Sequence, residues 1–261
     1  MRNCIMADIR RVQKKRSFLI CLAIEAALLV LAGLLAYAVP LPISMTGSEK
    51  GGTAPSMEIY IMIAFFFYPL FVGIPIFSAI YSDDFKSRSM QTAIGFGITR
   101  RKLIWARFFE VLILALETAV LFTAIVYAVD LWTGISFGDA TDMILKQVWI
   151  KDFEIIGFLS ISLIIVYGTQ KPGSGMVLYI LLLMGVFSAL ITLADMIPFF
   201  SRNHIKISEY VPSGVVSTMQ KAIFGDDPGK AVIAGLCFTV FYILLPVILS
   251  IRIFEKKELD F

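Results

Sequence analysis

Six apolar stretches, each long enough to cross a lipid bilayer, occupy most of this 261-residue chain. They cover about 17–39, 57–81, 105–130, 153–170, 175–198 and 231–251. A bilayer's hydrocarbon core is ~30 Å thick and an α-helix rises ~1.5 Å per residue, so roughly 20 apolar residues make one span. Inside lipid every backbone amide and carbonyl needs an internal partner, which a helix supplies within a single segment. The pattern predicts an all-α, polytopic membrane protein of one transmembrane domain, residues 1–261, with no room for a soluble catalytic domain. Composition agrees: 58% of residues are hydrophobic and only 16% charged, with a mean hydropathy of +0.84. A soluble domain of this length is not so poor in charge.

Basic residues set the orientation. Alternate segments hold Arg2, Arg10, Arg11, Lys14, Lys15 and Arg16, then Lys86, Arg88, Arg100, Arg101, Lys102 and Arg107, then Lys171, and finally Arg252, Lys256 and Lys257. These are 16 of the 23 lysines and arginines. Lys50, Lys146, Lys151, Arg202, Lys206, Lys221 and Lys230 fall on the other side. Cytoplasmic segments near span ends are enriched in Lys and Arg, so the split places both termini in the cytoplasm. The net charge of +3 reflects this anchoring. No basic patch is interleaved with aromatics, so a nucleic-acid partner is not expected. Cys4, Cys21 and Cys237 are too scattered to indicate a disulfide framework or a metal site.

Before the first span, Ile5, Ile9 and Val12 recur at helical spacing among basic residues. This predicts a short amphipathic helix over 1–16, lying at the inner membrane surface. The basic start, the apolar run and Ala36-Tyr37-Ala38 share the outline of a signal peptide. The run, however, exceeds the ~7–15 residues usual there and contains Glu25, so the first span is expected to be retained. Pro69, Gly73 and Pro75 should bend the second span, and Pro246 the last, as the wall of a pathway or as packing kinks. Ala23, Ala27, Ala32 and Ala36 in the first span, and Gly185, Ser188 and Ala189 in the fifth, offer small faces. Such faces let helix backbones approach closely, within one subunit or between two.

Two longer segments face outward. Residues 131–152 hold Asp139, Asp142, Val148 and Trp149 and predict an interfacial helix leading into the fourth span. Residues 199–230 carry His204, the sole histidine, which has no nearby Cys or His; no metal site is expected. Gly225 to Lys230, GDDPGK, has three residues between its glycines where a phosphate loop needs four, and Ala231 stands where Ser or Thr would hold magnesium. HExxH and GxSxG motifs are missing too. The chain therefore reads as a non-enzyme with no cofactor of its own.

The polar loop 82–104 is the segment that meets water on the inner side. Asp83 and Asp84 predict the N-cap and acidic start of a helix from about Phe85 to Ile94. Lys86, Arg88, Ser89, Met90, Gln91 and Thr92 lie along it. Gly95 and Gly97 should end it, and Arg100, Arg101 and Lys102 fix the start of the third span. A short helix held between two spans is a lever. Force applied to it from the cytoplasm passes to both neighbours.

The arrangement DDFKSRSMQTAIGFGITRRKLIWARF resembles the permease subunits of ABC-2-type exporters, above all those of Gram-positive bacteria. In that family an acidic or polar helix start, a Gly-containing turn, a basic Ser/Thr-Arg element and the following span form the coupling helix. The family often has Gly-Thr near the helix middle, where Met90-Gln91-Thr92 keeps only the threonine, and often Lys where Arg107 stands. The ending RIFEKKELDF also resembles the family's basic tail.

The resemblance implies the six-helix ABC-2-type (type V exporter) half-transporter fold. It implies two copies, or this chain with a related permease, each sitting on a separate cytoplasmic ATPase that binds ATP and Mg. Asp83, Asp84, Phe85, Lys86, Arg88, Ser89, Met90, Gln91, Thr92, Arg100 and Arg101 would then couple to that ATPase. Closely similar permeases move amphipathic or antimicrobial peptides, so a phenol-soluble-modulin-type peptide is the expected cargo and the bacterial plasma membrane the expected location. Lipid, polysaccharide, drug and ion exporters share the fold, and a non-transporting sensor or scaffold is the rival class.

Two acids bear on the cargo. Glu117 lies about 18 Å into the third span, and Glu25 roughly 12 Å into the first, at ~1.5 Å per residue. A carboxylate at such depth must face protein or water. Glu25 and Glu117, with Pro69 and Pro75, are expected to line a cavity for cationic peptides, or else to be satisfied within the bundle.

Overall fold

A computed structural model describes residues 2–38, 54–86, 89–133, 139–196, 206–225 and 227–257. All the regular structure among them is helical. Helices α1 (Arg2–Gln13) and α2 (Arg16–Ala38) are followed by α3 (Ala54–Phe77), a π turn (Ser78–Ser82) and α4 (Asp83–Lys86). The short α5 (Ser89–Gly95) leads to the two longest helices, α6 (Arg100–Thr133) and α7 (Asp139–Thr169). Then come α8 (Pro172–Leu183), α9 (Val186–Asp195), a 3₁₀ turn (Ile207–Tyr210) and α10 (Pro212–Phe224). The chain closes with α11 (Pro228–Phe238), a second π turn (Thr239–Leu244) and α12 (Leu245–Lys256).

Among the described residues, three helical segments are long and apolar enough to cross a membrane: Phe65–Phe85, Arg100–Val129 and Pro228–Lys256. A fourth candidate is the pair α8 and α9, bent by 56° at Met184 and Gly185. The chain is thus a helical membrane protein. Its hub is α7, which packs against α3, α6, α8, α10, the second π turn and α12. From Asp152 to Ser160 nearly every residue of α7 is buried, as expected of a helix that is apolar all round and enclosed by neighbours.

Several element boundaries differ from the sequence expectation, each for a local reason. The second span does not stop at residue 81. Its backbone passes through the π turn into Asp83–Lys86, with Asp83 in ordinary helical geometry (φ −69°, ψ −35°). Asp83 and Asp84 therefore lie inside a helix and cap none. The expected interfacial helix at 131–152 is, from Asp139, the first half of α7 and continuous with it. The fifth span is broken. Gly185 has φ +67°, a left-handed conformation that costs glycine little, and so marks the bend between α8 and α9. Ser188 and Ala189 follow that bend, so the three do not form one straight small face.

Tyr179 of α8 is hydrogen-bonded to the second apolar helix, α3. Its hydroxyl donates to the carbonyl of Pro69 at 2.7 Å. A Cβ on Gly73 would lie 1.8 Å from that hydroxyl oxygen. Gly73 thus admits a tyrosine against the α3 backbone, and buried Pro69 sits in this joint. Pro75 is half-buried one turn further on. Here Pro69 and Gly73 serve the packing of α3 on α8. Pro246 lies in the first turn of α12, immediately after the second π turn, where a missing amide is tolerated.

Candidate functional site

One end of the bundle carries a network of buried charge. Arg107, in the second turn of α6, is only 5% exposed. Its Nη1 donates to Asp8 Oδ2 of α1 and to Glu110 Oε2, both at 2.6 Å, and its Nε pairs with Asp84 Oδ2. Arg11 lies 3.6 Å from both Asp8 and Asp84, and Lys15 Nζ meets Asp83 Oδ2 at 2.8 Å. Three pieces of chain distant in sequence are thereby joined: α1, the end of the second span, and the start of α6. Asp84 and Glu110 are buried, and a charge so placed is tolerable only when paired.

The amphipathic pattern of α1 explains its place. Ile9 and Val12 are buried and Ile5 packs against the same core. The apolar stripe thus faces the bundle and brings Asp8 and Arg11 to Arg107. Gln13, one turn later, donates to Glu117 Oε2 at 2.8 Å. Glu117 stands on an exposed face of α6 beside α1.

An aromatic column continues the joint. The Phe85 ring lies 6.4 Å from Tyr167 of α7, and Tyr167 lies 5.0 Å from Phe254 of α12. Arg100 closes the column. Its guanidinium sits 5.5 Å over the Phe254 ring and donates to the carbonyls of Phe254 and Lys257, at 2.9 and 2.6 Å. These are terminal carbonyls of α12, the negative end of that helix dipole. Lys257 in turn donates its Nζ to the carbonyl of Gly168 near the end of α7.

The segment between these anchors is well specified. Gly97 has φ +85°. Its amide bonds Ile94 O at 2.9 Å, and Ile98 N bonds Ala93 O at 3.1 Å. This is the paired hydrogen bonding of a Schellman motif, with glycine at the left-handed position. Ile98 and Ala93 pack against the core beneath it. Thr99 then caps α6, its Oγ1 accepting from Lys102 N at 3.4 Å.

The structure redistributes the roles expected for this loop. Phe85 is half-buried against Tyr167 and Met90 is 6% exposed, so neither is a projecting anchor. They face inward because the chain enters α5 from a helix already docked on α7. Thr92 is exposed. Arg88 lies outside the described residues, as do the side chains of Lys86, Ser89 and Gln91. The side chain that projects is Phe96, 85% exposed between Gly95 and Gly97. Arg101 is exposed, whereas Arg100 is committed to α12.

A different chemistry occupies the middle of the bundle. Glu25 of α2 is 0% exposed, and neither carboxyl oxygen has a hydrogen-bond partner among the described residues. It is within electrostatic reach of the Tyr68 hydroxyl on α3. Tyr68 donates to Asp152 Oδ2 of α7 at 3.0 Å, and Thr118 of α6 is buried beside them. Ala23 and Ala27 lie on an exposed face of α2, while the side chains of Ala32 and Ala36 lie outside the described residues. His204 does too. At the other end of the chain's helices, Asp195 accepts from the amides of Ile207 and Ser208, at 2.8 and 3.0 Å. Hydrogen bonding from Ser208 and from those amides holds its carboxyl below the usual carboxylate range.

Sequence reasoning missed Asp8 and Glu110 as partners of Arg107, and Arg11 as a second cation facing Asp8 and Asp84. The i,i+3 spacing of Arg107 and Glu110 was a visible signal, but the approach of α1 was not. It also passed over Phe96, although a phenylalanine held between two glycines in a polar turn is itself a sign of an exposed apolar contact. No protein-family model matches this chain, and none of the curated proteins searched matches it either.

Proposed function

We propose that this chain is the membrane-spanning permease subunit of an ATP-driven exporter of the ABC-2 type. In this reading six spans place both termini and the 82–104 loop in the cytoplasm. A second permease copy, or a related chain, completes the pathway, and separate ATPase subunits bind ATP and Mg. The location is a bacterial plasma membrane, and the cargo is an amphipathic peptide of the phenol-soluble-modulin type.

The observation that carries this reading is how the loop is mounted. Asp84 is ion-paired to α1 and α6, Asp83 to Lys15 just after α1, and the Phe85 ring packs against Tyr167 of α7. A few residues later a Schellman turn presents Phe96 to solvent. A load on the turn would therefore reach several helices of the bundle. A mere connector needs neither buried ion pairs nor an exposed aromatic at its tip. The exposed small face at Ala23 and Ala27 supports close approach of a second copy.

Phe96 tests the reading. Aromatic anchors at an interface contribute ≥2 kcal/mol each, about thirtyfold in affinity. Phe96→Asp should leave membrane insertion and melting temperature unchanged, weaken ATPase co-purification by about that factor, and abolish transport in reconstituted vesicles. Full docking and full transport by this variant would sink the coupling role. Docking that persists without peptide transport by the wild type would favour the sensor or scaffold class.

A further inference from the structure

We propose that the cleft between the start of α6 and the end of α12 binds the headgroup of an anionic glycerophospholipid. The cleft encloses ≈ 210 Å³ and is lined by Arg101, Trp105, Ile248, Ile251, Arg252 and Glu255. It lies at the charged end of two helices that are each long and apolar enough to span a bilayer. The inference needs only that these helices sit in lipid, and stands whether or not the chain transports anything.

Three features define the ligand. First, the basic residues of this region divide their work. Arg100 is consumed by the carbonyls of α12 and Arg107 by buried carboxylates. Arg101 and Arg252 are exposed, and neither forms an ion pair among the described residues. Two guanidiniums with planar donor forks suit phosphate oxygens. Basic pockets between membrane helices on the cytoplasmic side are suited to anionic headgroups for the same reason.

Second, the cleft opens onto an apolar wall. Trp105 is half-buried and stacks on exposed Phe109 at 5.9 Å, an amphipathic ring at the level where such rings mark the membrane boundary. Exposed Ile248, Leu245, Leu244 and Phe241 continue up the same helix from the cleft. From Arg252 to Phe241 the rise is roughly 16 Å, which matches one leaflet of a ~30 Å core. A free phosphate ion would make no use of that wall.

Third, Glu255 sets the headgroup. Two arginines against one carboxylate leave one positive charge, balanced by a single phosphodiester. The carboxylate can accept from a headgroup hydroxyl, as in a glycerol headgroup. Choline offers no such donor, and serine brings, beside an ammonium that could reach Glu255, a second carboxylate that would be repelled by it. The predicted order is phosphatidylglycerol first, with phosphatidylcholine and phosphatidylserine behind it.

Native mass spectrometry of the full chain in detergent, titrated with each lipid, tests the site. Attraction of a single basic residue to an anionic lipid is worth about fivefold in affinity. Arg101→Gln and Arg252→Gln should each weaken phosphatidylglycerol binding by about that factor and leave phosphatidylcholine unchanged. Lys221→Gln, outside the cleft, should change nothing. Glu255→Gln should narrow the preference for phosphatidylglycerol over phosphatidylserine, a readout that does not depend on removing either arginine. Equal binding of phosphatidylglycerol and phosphatidylcholine overturns the proposal, as does wild-type affinity in both arginine variants. Displacement of the lipid by inorganic phosphate alone would also overturn it, by making the cleft a site for the free ion.

Discussion

The two buried acidic regions of this bundle solve the same problem in opposite ways. At the charged end, Asp84 and Glu110 are out of water but face Arg107, with Asp8 and Arg11 close by. In the middle, Glu25 has no hydrogen-bond partner among the described residues and Asp152 has a tyrosine hydroxyl for one of its oxygens. At the end, formal charge is balanced by formal charge. In the middle there are only neutral donors or none. A paired carboxylate holds elements together, because removing either member strands the other. An unpartnered one opposes folding and persists where it serves something besides stability.

The sharpest way to break this comparison is at Arg107. Arg107→Ala would leave Glu110 buried without its cation and Asp84 with only Arg11, 3.6 Å away. Breaking a buried ion pair from one side costs about 3–5 kcal/mol. The variant should lose that much stability in detergent-mediated unfolding and should release α1 from the bundle, seen as faster proteolysis around residues 2–13. A loss below ~1 kcal/mol, the level of an exposed pair, would mean that water reaches the network.

Glu25 should respond in the opposite direction. Glu25→Leu replaces a buried group whose oxygens have no partner with an apolar one of similar size. An unsatisfied buried polar group costs about 1–3 kcal/mol, so this variant should be more stable than the wild type by an amount of that order. Glu25→Gln, which keeps the polar atoms, should gain much less. In vesicles the proposed transporter should lose activity on Glu25→Leu while gaining stability. Destabilisation by Glu25→Leu would show that the carboxyl has a structural partner and would erase the contrast between the two regions.

The contrast also marks what could be read in the sequence. The helical class, the loop between the second and third spans, its glycine turn and the helix at 2–13 were legible, because each depends on local spacing or a φ-demanding residue. Gly97 does in the fold what a glycine in that pattern predicts. The partners of Arg107 were not legible, because Asp8, Asp84 and Arg107 meet only through tertiary packing. The cap expected at Asp83 or Asp84 was wrong because a π turn continues the preceding helix, and no residue preference announces that continuation. Inward Phe85 and outward Phe96 were likewise not legible, because Phe85 meets Tyr167 of α7 only through tertiary packing and Phe96 lies in the turn beyond α5. Glu25 was recognised as deep and Glu117 as well, but depth alone did not separate the buried acid from the one bonded to Gln13 on an exposed face.

The rim of the charged network provides the smallest effect and the finest test. Lys15 and Asp83 are 2.8 Å apart, but their side chains are 32% and 34% exposed. Water and salt reach both, so their attraction is weak and the entropy lost by holding a lysine offsets part of it. A double-mutant cycle with Lys15→Gln and Asp83→Asn should give a coupling of about 0.2–1 kcal/mol, shrinking as salt is raised. The Arg107–Glu110 pair, cycled the same way, should be larger and nearly insensitive to salt because both side chains are buried. Equal couplings with equal salt dependence would show that the network is uniformly wet. A coupling that falls from Arg107 outward to Lys15 would show the loop fixed firmly at its inner edge and loosely at its rim, the arrangement a lever needs if its outer end is to follow a moving partner.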